Sequence, residues 1–241
     1  MLAVFQSNPW ADVLGAEAPA FVLYRDGSVI TATGAQTPGG RVTGQLSDAE
    51  ALRARVFAAL LPEAERTTLA QPTDQPTLSL LARSEAGWIQ RSVYGMRFSC
   101  EPSGPGRGDA SAIPPGVLSA CRQLQSAPLS QPKPWAPSQV EVMLWGFEHS
   151  KLQPLPWPSA LPPPPAVAPP KSGTIKHPLD AKHLPALKAF LASLGAGQAV
   201  SFAGHKWSVS QRPLIPADTY LARVRREIWA GYASRAKHKP R

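Results

Sequence analysis

Glu148 and His149 are the neighbouring polar residues of this sequence that are best suited to acid–base chemistry. They follow residues 139–147, a strand-like run, and functional groups gather at the ends of strands. A histidine titrates near neutral pH and exchanges protons readily beside a carboxylate. The pair equally fits a solvated strand end, so an enzyme of unrecognised class around Glu148 and His149 is the last of three functional hypotheses.

Motifs that mark the common enzyme classes do not occur in the chain. Nucleophile elbows, Walker loops, dinucleotide-binding fingerprints and HExxH helices have fixed spacings, and none is present. The five histidines form no i, i+4 or His-x-His pair, and residues 104–108 lack the Lys-Ser/Thr ending of a phosphate-binding loop. We therefore predict no catalytic residues, no metal site and no cofactor.

Positive charge is concentrated near the C-terminal end of the chain. Residues 222–241 contain seven Lys and Arg against one Glu, a net +6 of the +9 carried by the whole chain. This extension suits nucleic-acid phosphates or an acidic protein surface, or it serves only as a solubilising terminus. We expect its first arginines to lie away from the apolar face of a helix. The basic residues assigned to partner binding are Arg223, Arg225, Arg226, Arg235, Lys237 and Lys239.

A proline-rich segment, residues 154–170, interrupts the folded pattern. Nine of its seventeen residues are proline, which predicts largely polyproline II backbone. Such a segment acts as a spacer or surface wrap, and it also acts as a docking ligand for an aromatic groove. Trp145 and Trp157 lie before and within it, where they either pack it onto its own domain or form a protein-binding hot spot. We assign both tryptophans to partner binding.

These observations favour a binding protein. The leading hypothesis is a non-enzymatic protein-interaction or accessory protein, such as an adaptor, an inhibitor, an immunity-type protein or an assembly factor, whose partner is another protein. The first alternative is a nucleic-acid-associated protein that uses the basic tail, with binding that weakens steeply as salt is added.

Composition indicates a globular protein without a membrane span. Hydrophobic residues make up 43% of the 241 residues, and no run approaches the ~20 apolar residues of a membrane helix. Residues 1–10 lack the positive start of a secretory signal, so we predict a cytoplasmic location. Cys100 and Cys121 show no metal-binding spacing, and we expect two reduced, partly buried thiols.

Local patterns predict a hairpin and then a helix in the first part of the chain. Asp26 and Gly27 separate two β-type runs within residues 21–31, which is typical of a type I′ hairpin. Ser47 and Glu50 have the spacing of a capping box at a helix start. The apolar face of that helix is predicted to contain Leu52, Val56, Phe57 and Leu60.

The middle of the chain predicts a second hairpin, a helix and a central strand. Runs at 77–81 and 88–94 form the hairpin. A short helix follows the two prolines at 114–115, and its apolar side is predicted to be Val117, Leu118, Cys121 and Leu124. Residues 139–147 are rich in β-branched and aromatic side chains, as a strand covered on both faces is.

The part after the prolines predicts a helix, a hairpin and a last helix. Gly195 is placed to end the first of these, residues 198–210 alternate around Gly204 as a hairpin does, and Asp218 is placed to cap the last helix. The apolar faces of the two helices are predicted to be Leu187, Phe190, Leu191 and Leu194, and then Leu221, Val224, Ile228 and Tyr232.

The fold class that follows is α+β. We predict mainly antiparallel hairpins packed with three to four short amphipathic helices, with a proline-rich extended segment between two halves. The predicted ranges are an N-terminal α+β region at 1–150, a linker or wrapping segment at 151–173, a helix-hairpin-helix region at 174–232 and a basic tail at 233–241.

Overall fold

The α+β fold is confirmed by the computed structural model, in which the strands form two sheets. The model describes residues 1–7, 18–33, 40–69, 74–85, 87–103, 110–170, 173–217, 219–225 and 227–228. These fall into two compact units. Unit 1 contains the described residues within Met1–Pro9, Pro19–Ala136 and Ala217–Arg241, and unit 2 those within Trp10–Ala18 and Pro137–Pro216.

Unit 1 is built on an eight-stranded sheet. Its strands are β1 (Leu2–Ser7), β2 (Phe21–Leu23), β3 (Ser28–Ala32), β4 (Arg41–Gln45), β5 (Arg66–Thr68), β6 (Thr77–Ser84), β7 (Gly87–Tyr94) and β8 (Ser130–Pro134). They lie in the order β5-β7-β6-β1-β2-β3-β4-β8, and only β5 and β7 pair in parallel. The two hairpins predicted here are confirmed as β2-β3 and β6-β7.

Helices α1 (Ala49–Leu60) and α2 (Pro115–Gln125) share one core with this sheet. Helix residues three or four apart share a face, so each helix turns one apolar stripe inward. Arg91 of β7, itself buried, donates hydrogen bonds to the carbonyls of Leu60 and Leu61 at the end of α1. The buried helix positions include the predicted Leu52, Val56, Leu60, Val117, Cys121 and Leu124.

The start of α1 differs from its prediction. The helix begins at Ala49 with Asp48 as its N-cap residue, and no side chain of the cap bonds to the backbone. The predicted capping box of Ser47 and Glu50 is therefore wrong. Asp48 instead pairs with Arg55 at 3.1 Å, about two helical turns further along.

The turn of the first hairpin also differs from its prediction. Gly27 has a φ of 85°, whereas Asp26 is not among the residues with positive φ. The Gly27 N–H donates to the Tyr24 carbonyl, and the Tyr24 N–H donates to the Ser28 carbonyl. This is a type I turn followed by a glycine bulge rather than a type I′ turn, which needs positive φ at both central residues.

Cys100 and Cys121 are joined by a disulfide, which corrects the expectation of two reduced thiols. The bond links the loop after β7 to α2, and the two Cα atoms are 5.8 Å apart, within the range that a disulfide spans. Tertiary packing brings the pair together across 21 residues of sequence. The spacing of the two cysteines in the sequence therefore could not predict the disulfide.

The opposite face of the unit 1 sheet is also buried. Phe5 and Leu81 point to this face, because neighbouring residues of a strand alternate between faces. Helical residues 219–225 and 227–228 contribute Leu221 and Val224, which are buried as predicted. The predicted cap Asp218 and the predicted inward residue Tyr232 lie outside the described residues.

Unit 2 is built on a five-stranded sheet. Its strands are β9 (Gln139–Gly146), β10 (Leu155–Pro156), β11 (Ile175–Asp180), β12 (Val200–Phe202) and β13 (His205–Leu214), in the order β10-β12-β13-β9-β11. The predicted central strand is β9, which is paired on both sides. The hairpin β12-β13 is also confirmed, and its turn residues Ala203 and Gly204 have φ of 51° and 77°. The β12-β13 hairpin, rather than the β2-β3 hairpin, therefore has the two-residue type I′ turn.

One helix completes the core of unit 2. Helix α3 (Leu184–Ser193) buries Leu187 fully, and Phe190, Leu191 and Leu194 pack against the same core. On the other face of the sheet, Glu141 and Arg212 form a buried ion pair at 2.8 Å. No described helix has the length and apolar character that a membrane span requires.

The compact units do not follow the predicted boundaries. Strand β9 precedes the prolines but belongs to the same sheet as β11 and β13, which follow them. The units therefore divide near residue 137, because strand pairing outweighs the composition change at 151. The predicted division into 1–150, 151–173, 174–232 and 233–241 stays a prediction.

Candidate functional site

The proline-rich segment begins as an edge strand of unit 2. Within it, the N–H groups of Leu155 and Trp157 donate to the carbonyls of Ala199 and Ser201, both at 3.0 Å. These are among the few N–H groups that the prolines leave in this stretch. The start of the segment is thus held by β-sheet hydrogen bonds.

Side chains anchor the middle of the segment. Leu161 is 3% exposed and belongs to the unit 2 core. A ring nitrogen of His177 lies 3.2 Å from the Pro162 carbonyl oxygen. The packed part of the segment therefore extends at least to residue 162, and Pro164 is buried as well.

Residues 165–168 form the longest run of exposed residues in the segment. Val167 is 49% exposed, one of the few large apolar side chains of the described chain that faces solvent to this extent. Its N–H donates to the Pro165 carbonyl at 2.9 Å, which makes a tight local turn. Just beyond, Pro169 lies so close to Gly146 that a methyl group at position 146 would be 2.9 Å from the Pro169 Cβ. The exposed part is thus held at both ends.

Of the two tryptophans assigned to partner binding, Trp157 packs within unit 2. Its ring centroid lies 6.1 Å from that of Phe190 and 6.4 Å from that of Phe202, both in edge-to-face geometry. Trp145 is half-buried on the sheet face opposite the core, directly across from Ser208 of β13. Trp157 therefore fixes the proline segment onto its own sheet.

The structure describes two of the six basic residues assigned to partner binding. Arg223 is exposed, pairs with Glu227 at 3.7 Å and lies 5.3 Å over the Tyr220 ring. Arg225 does not project away from the apolar face as predicted, because its guanidinium stacks 4.2 Å from the centroid of the buried Phe5 ring. Arg226, Arg235, Lys237 and Lys239 lie outside the described residues.

A second candidate site is a pocket of about 840 Å³ in unit 1, which we call the arginine pocket. Arg25 comes from the turn between β2 and β3, Arg53 from α1 and Arg83 from β6. No carboxylate of the described residues forms an ion pair with any of these three. The other lining residues are Met1, Glu50, Ala54, Phe57, Ser84, Glu85 and Tyr220.

Two of the three arginines are held in place by hydrogen bonds. Arg53 donates to the Tyr24 carbonyl at 2.9 Å. Arg83 donates to the Tyr220 hydroxyl at 3.0 Å and lies over the Trp88 ring. Each uses one of its five N–H donors in these bonds, so most donors remain for a ligand.

The pocket lining carries more positive than negative charge, with three arginines against Glu50 and Glu85. Burial, followed by the charges of Arg53, Arg83 and Arg25, lowers the pKa of the Met1 amino group from 8.0 to about 6. An amine becomes harder to protonate near cations, because like charges disfavour its charged form. The same field attracts an anion.

Glu148 and His149 do not form an acid–base pair. Both are exposed, and Glu148 accepts a hydrogen bond from the Lys206 N–H and lies 3.3 Å from the His205 ring. His149 packs instead against the Phe147 ring, with centroids 4.5 Å apart. Glu148 therefore stabilises the start of β13.

The arginine pocket was missed by sequence reasoning. Arg25, Arg53 and Arg83 are about thirty residues apart in the sequence. The three come together because β1 pairs with β2 and β6 and because α1 packs on this sheet.

Among the described residues, no group of three or more His, Cys, Asp or Glu side chains is placed to hold a metal ion. Comparison with family models, curated proteins and solved structures finds no match to this chain.

Proposed function

We propose that this chain is a non-enzymatic accessory protein, an adaptor-type protein that binds another protein through the exposed residues 165–168. The observation that carries the proposal is the exposure of Val167 in a segment anchored on both sides, by Leu161 and by Pro169. The partner is a protein with an aromatic-lined groove that accepts proline-rich chain.

Anchoring favours binding because it lowers the entropy lost on association. Prolines fix φ, so residues 162–165 sample few conformations before a partner arrives. Leu161 and the His177 contact restrict the segment further. A ligand held in this way loses less conformational freedom than a free peptide does.

Photo-crosslinking in the native host tests this proposal. The photo-reactive residue p-benzoylphenylalanine is placed at position 167, and the matched control carries it at position 61, where Leu61 is 56% exposed in unit 1. We expect one protein adduct from position 167 and none from position 61. A synthetic peptide of residues 161–170 should suppress the adduct.

Two results would contradict the proposal. Equal adducts from positions 167 and 61 would indicate random collision. An adduct that persists in excess peptide, or no adduct at all, would show that residues 165–168 are not a recognition surface.

A nucleic-acid-associated role is the second candidate, and the exposed Arg223 supports it. Its test is filter binding of single- and double-stranded DNA and RNA across a salt series, with the full chain and a chain that ends at residue 221. Affinity should fall steeply with salt, because each phosphate contact releases counterions. Binding that ignores salt or the truncation would remove this candidate.

The disulfide also bears on the cellular compartment of this protein. We predicted the cytoplasm, but a disulfide between Cys100 and Cys121 favours an oxidising compartment, since cytosolic thiols are kept reduced. Trapping thiols with a mass-tagged maleimide in intact host cells decides between them. If both cysteines are tagged, the cytoplasm is supported. If neither cysteine is tagged, the oxidising compartment is supported.

A further inference from the structure

We propose that the arginine pocket of unit 1 binds a phosphate monoester carried on a small organic group. This site is separate from the proposed function, which uses residues 165–168 of unit 2, so either proposal can fail alone. The ligand class follows from the charge, the donors and the size of the pocket.

The charge of the lining favours an anion. Arg25, Arg53 and Arg83 line the pocket against Glu50 and Glu85, and neither glutamate is paired with any of the three arginines. Guanidinium groups that line one pocket repel one another, and two glutamates offset only part of the charge of three arginines. An anion among them removes this repulsion.

The donors favour a phosphate over a carboxylate. A phosphate monoester carries a charge near −2 at neutral pH and three terminal oxygens, whereas a carboxylate has one charge and two oxygens. Three guanidiniums together satisfy a phosphate, and a carboxylate would use only one of them bidentately. The Tyr220 hydroxyl already accepts from Arg83 and lies 3.4 Å from the Trp88 indole nitrogen, so its own proton is left to donate.

The size and lining favour an organic group beside the phosphate. The pocket is an open depression whose volume of about 840 Å³ is far larger than an inorganic ion and lies in the range of small-molecule sites. Phe57 and Ala54 of α1 give it an apolar side, and the Tyr220 ring gives it an aromatic one. A phosphate at the arginines thus places its organic group against these surfaces.

NMR titration of the full chain tests the proposal through its arginine Nε–H signals. The probes are phenyl phosphate, benzoate and inorganic phosphate at low ionic strength and pH 7.5. We expect phenyl phosphate to bind most tightly of the three, with the signals of Arg53 and Arg83 shifting together. Added salt should weaken binding, because exposed charges are screened.

The variant Arg25→Gln is the sharpest probe, since Arg25 is exposed and makes no hydrogen bond in the described structure that folding would lose. It should weaken phenyl phosphate about tenfold, the cost of one charge-assisted hydrogen bond. The matched control Arg122→Gln removes an exposed arginine of α2 outside the pocket and should leave the affinity unchanged.

Several outcomes would overturn the proposal. They are phenyl phosphate binding no tighter than benzoate or inorganic phosphate, equal effects of Arg25→Gln and Arg122→Gln, or no saturable binding. If phenyl phosphate behaves as expected, AMP and a tyrosine-phosphorylated peptide are compared next. Tighter binding of AMP assigns the site to a soluble metabolite, and tighter binding of the peptide assigns it to a modified protein.

Discussion

The two units cover their sheets in different ways. In unit 1, α1 and α2 pack on the sheet with their backbone hydrogen bonds satisfied internally, and a disulfide ties α2 to the loop after β7. In unit 2, α3 shares this role with a proline-rich segment that has few N–H groups to donate. A helical cover is fixed along its whole length, whereas a proline cover is fixed at a few anchors and displays the rest.

The largest effect is expected where the helical cover is tightest. A methyl group at Gly116 of α2 would lie 2.0 Å from the Ala59 carbonyl oxygen of α1, a backbone atom that cannot turn aside. Gly116→Ala should therefore lower the free energy of unfolding by about 3 kcal/mol or more, despite the better helix propensity of alanine. Urea unfolding measures the loss.

Gly195→Ala is the matched control for this change. A methyl group at position 195 would lie 3.4 Å from the Gln198 side-chain oxygen, which can move. Its stability should stay close to that of the wild type. If Gly116→Ala were equally harmless, the close crossing of α1 and α2 would be disproved.

The covalent tie of unit 1 should contribute nearly as much. The disulfide closes a loop with a sequence separation of 21, and removing such a constraint costs about 3 kcal/mol by loop-closure entropy. Cys100→Ser with Cys121→Ser should lose this stability, as should the wild type in dithiothreitol. Dithiothreitol should not affect the double variant, and a wild type insensitive to it would show that the tie adds nothing.

The sequence predicted what depends on near neighbours. Apolar spacing identified α2 and α3, and alternation identified the hairpins, because these patterns are set within a few residues. The predicted type I′ turn at Asp26 and the predicted capping box before Ala49 of α1 were wrong. Both depend on how the flanking elements pack, which a motif of two to four residues does not record.

Contacts between residues that are far apart in the chain could not be predicted from local sequence patterns. The pairing of Cys100 with Cys121 and the meeting of Arg25, Arg53 and Arg83 result from the order of the strands. Arg225 was predicted to lie away from the apolar face of its helix, yet its guanidinium lies over the Phe5 ring. Chain topology, rather than local pattern, creates these features.

The chief anchor of the proline cover gives the next effect. Leu161 is buried in the unit 2 core, and Leu161→Ala should lower stability by about 2 kcal/mol, the low end for such a truncation because an irregular segment can partly fill the space. Chemical denaturation followed by NMR signals of unit 2 checks this. Leu152→Ala, at a position 47% exposed in the same unit, is the control and should change stability by less than ~0.5 kcal/mol.

The smallest effect on stability is expected for Gly146→Ala, which tests whether Pro169 holds residues 165–168 in place. Gly146→Ala pushes against the Pro169 side chain at 2.9 Å, and because the exposed segment can move away, the cost should stay below about 1 kcal/mol. Hydrogen exchange at the Val167 amide, which is bonded to Pro165, should nevertheless quicken as residues 165–168 loosen. Unchanged exchange would mean that Pro169 is not an anchor. Faster exchange together with weaker crosslinking from position 167 would show that the partner recognises the held conformation, since a loosened segment must be ordered again on binding.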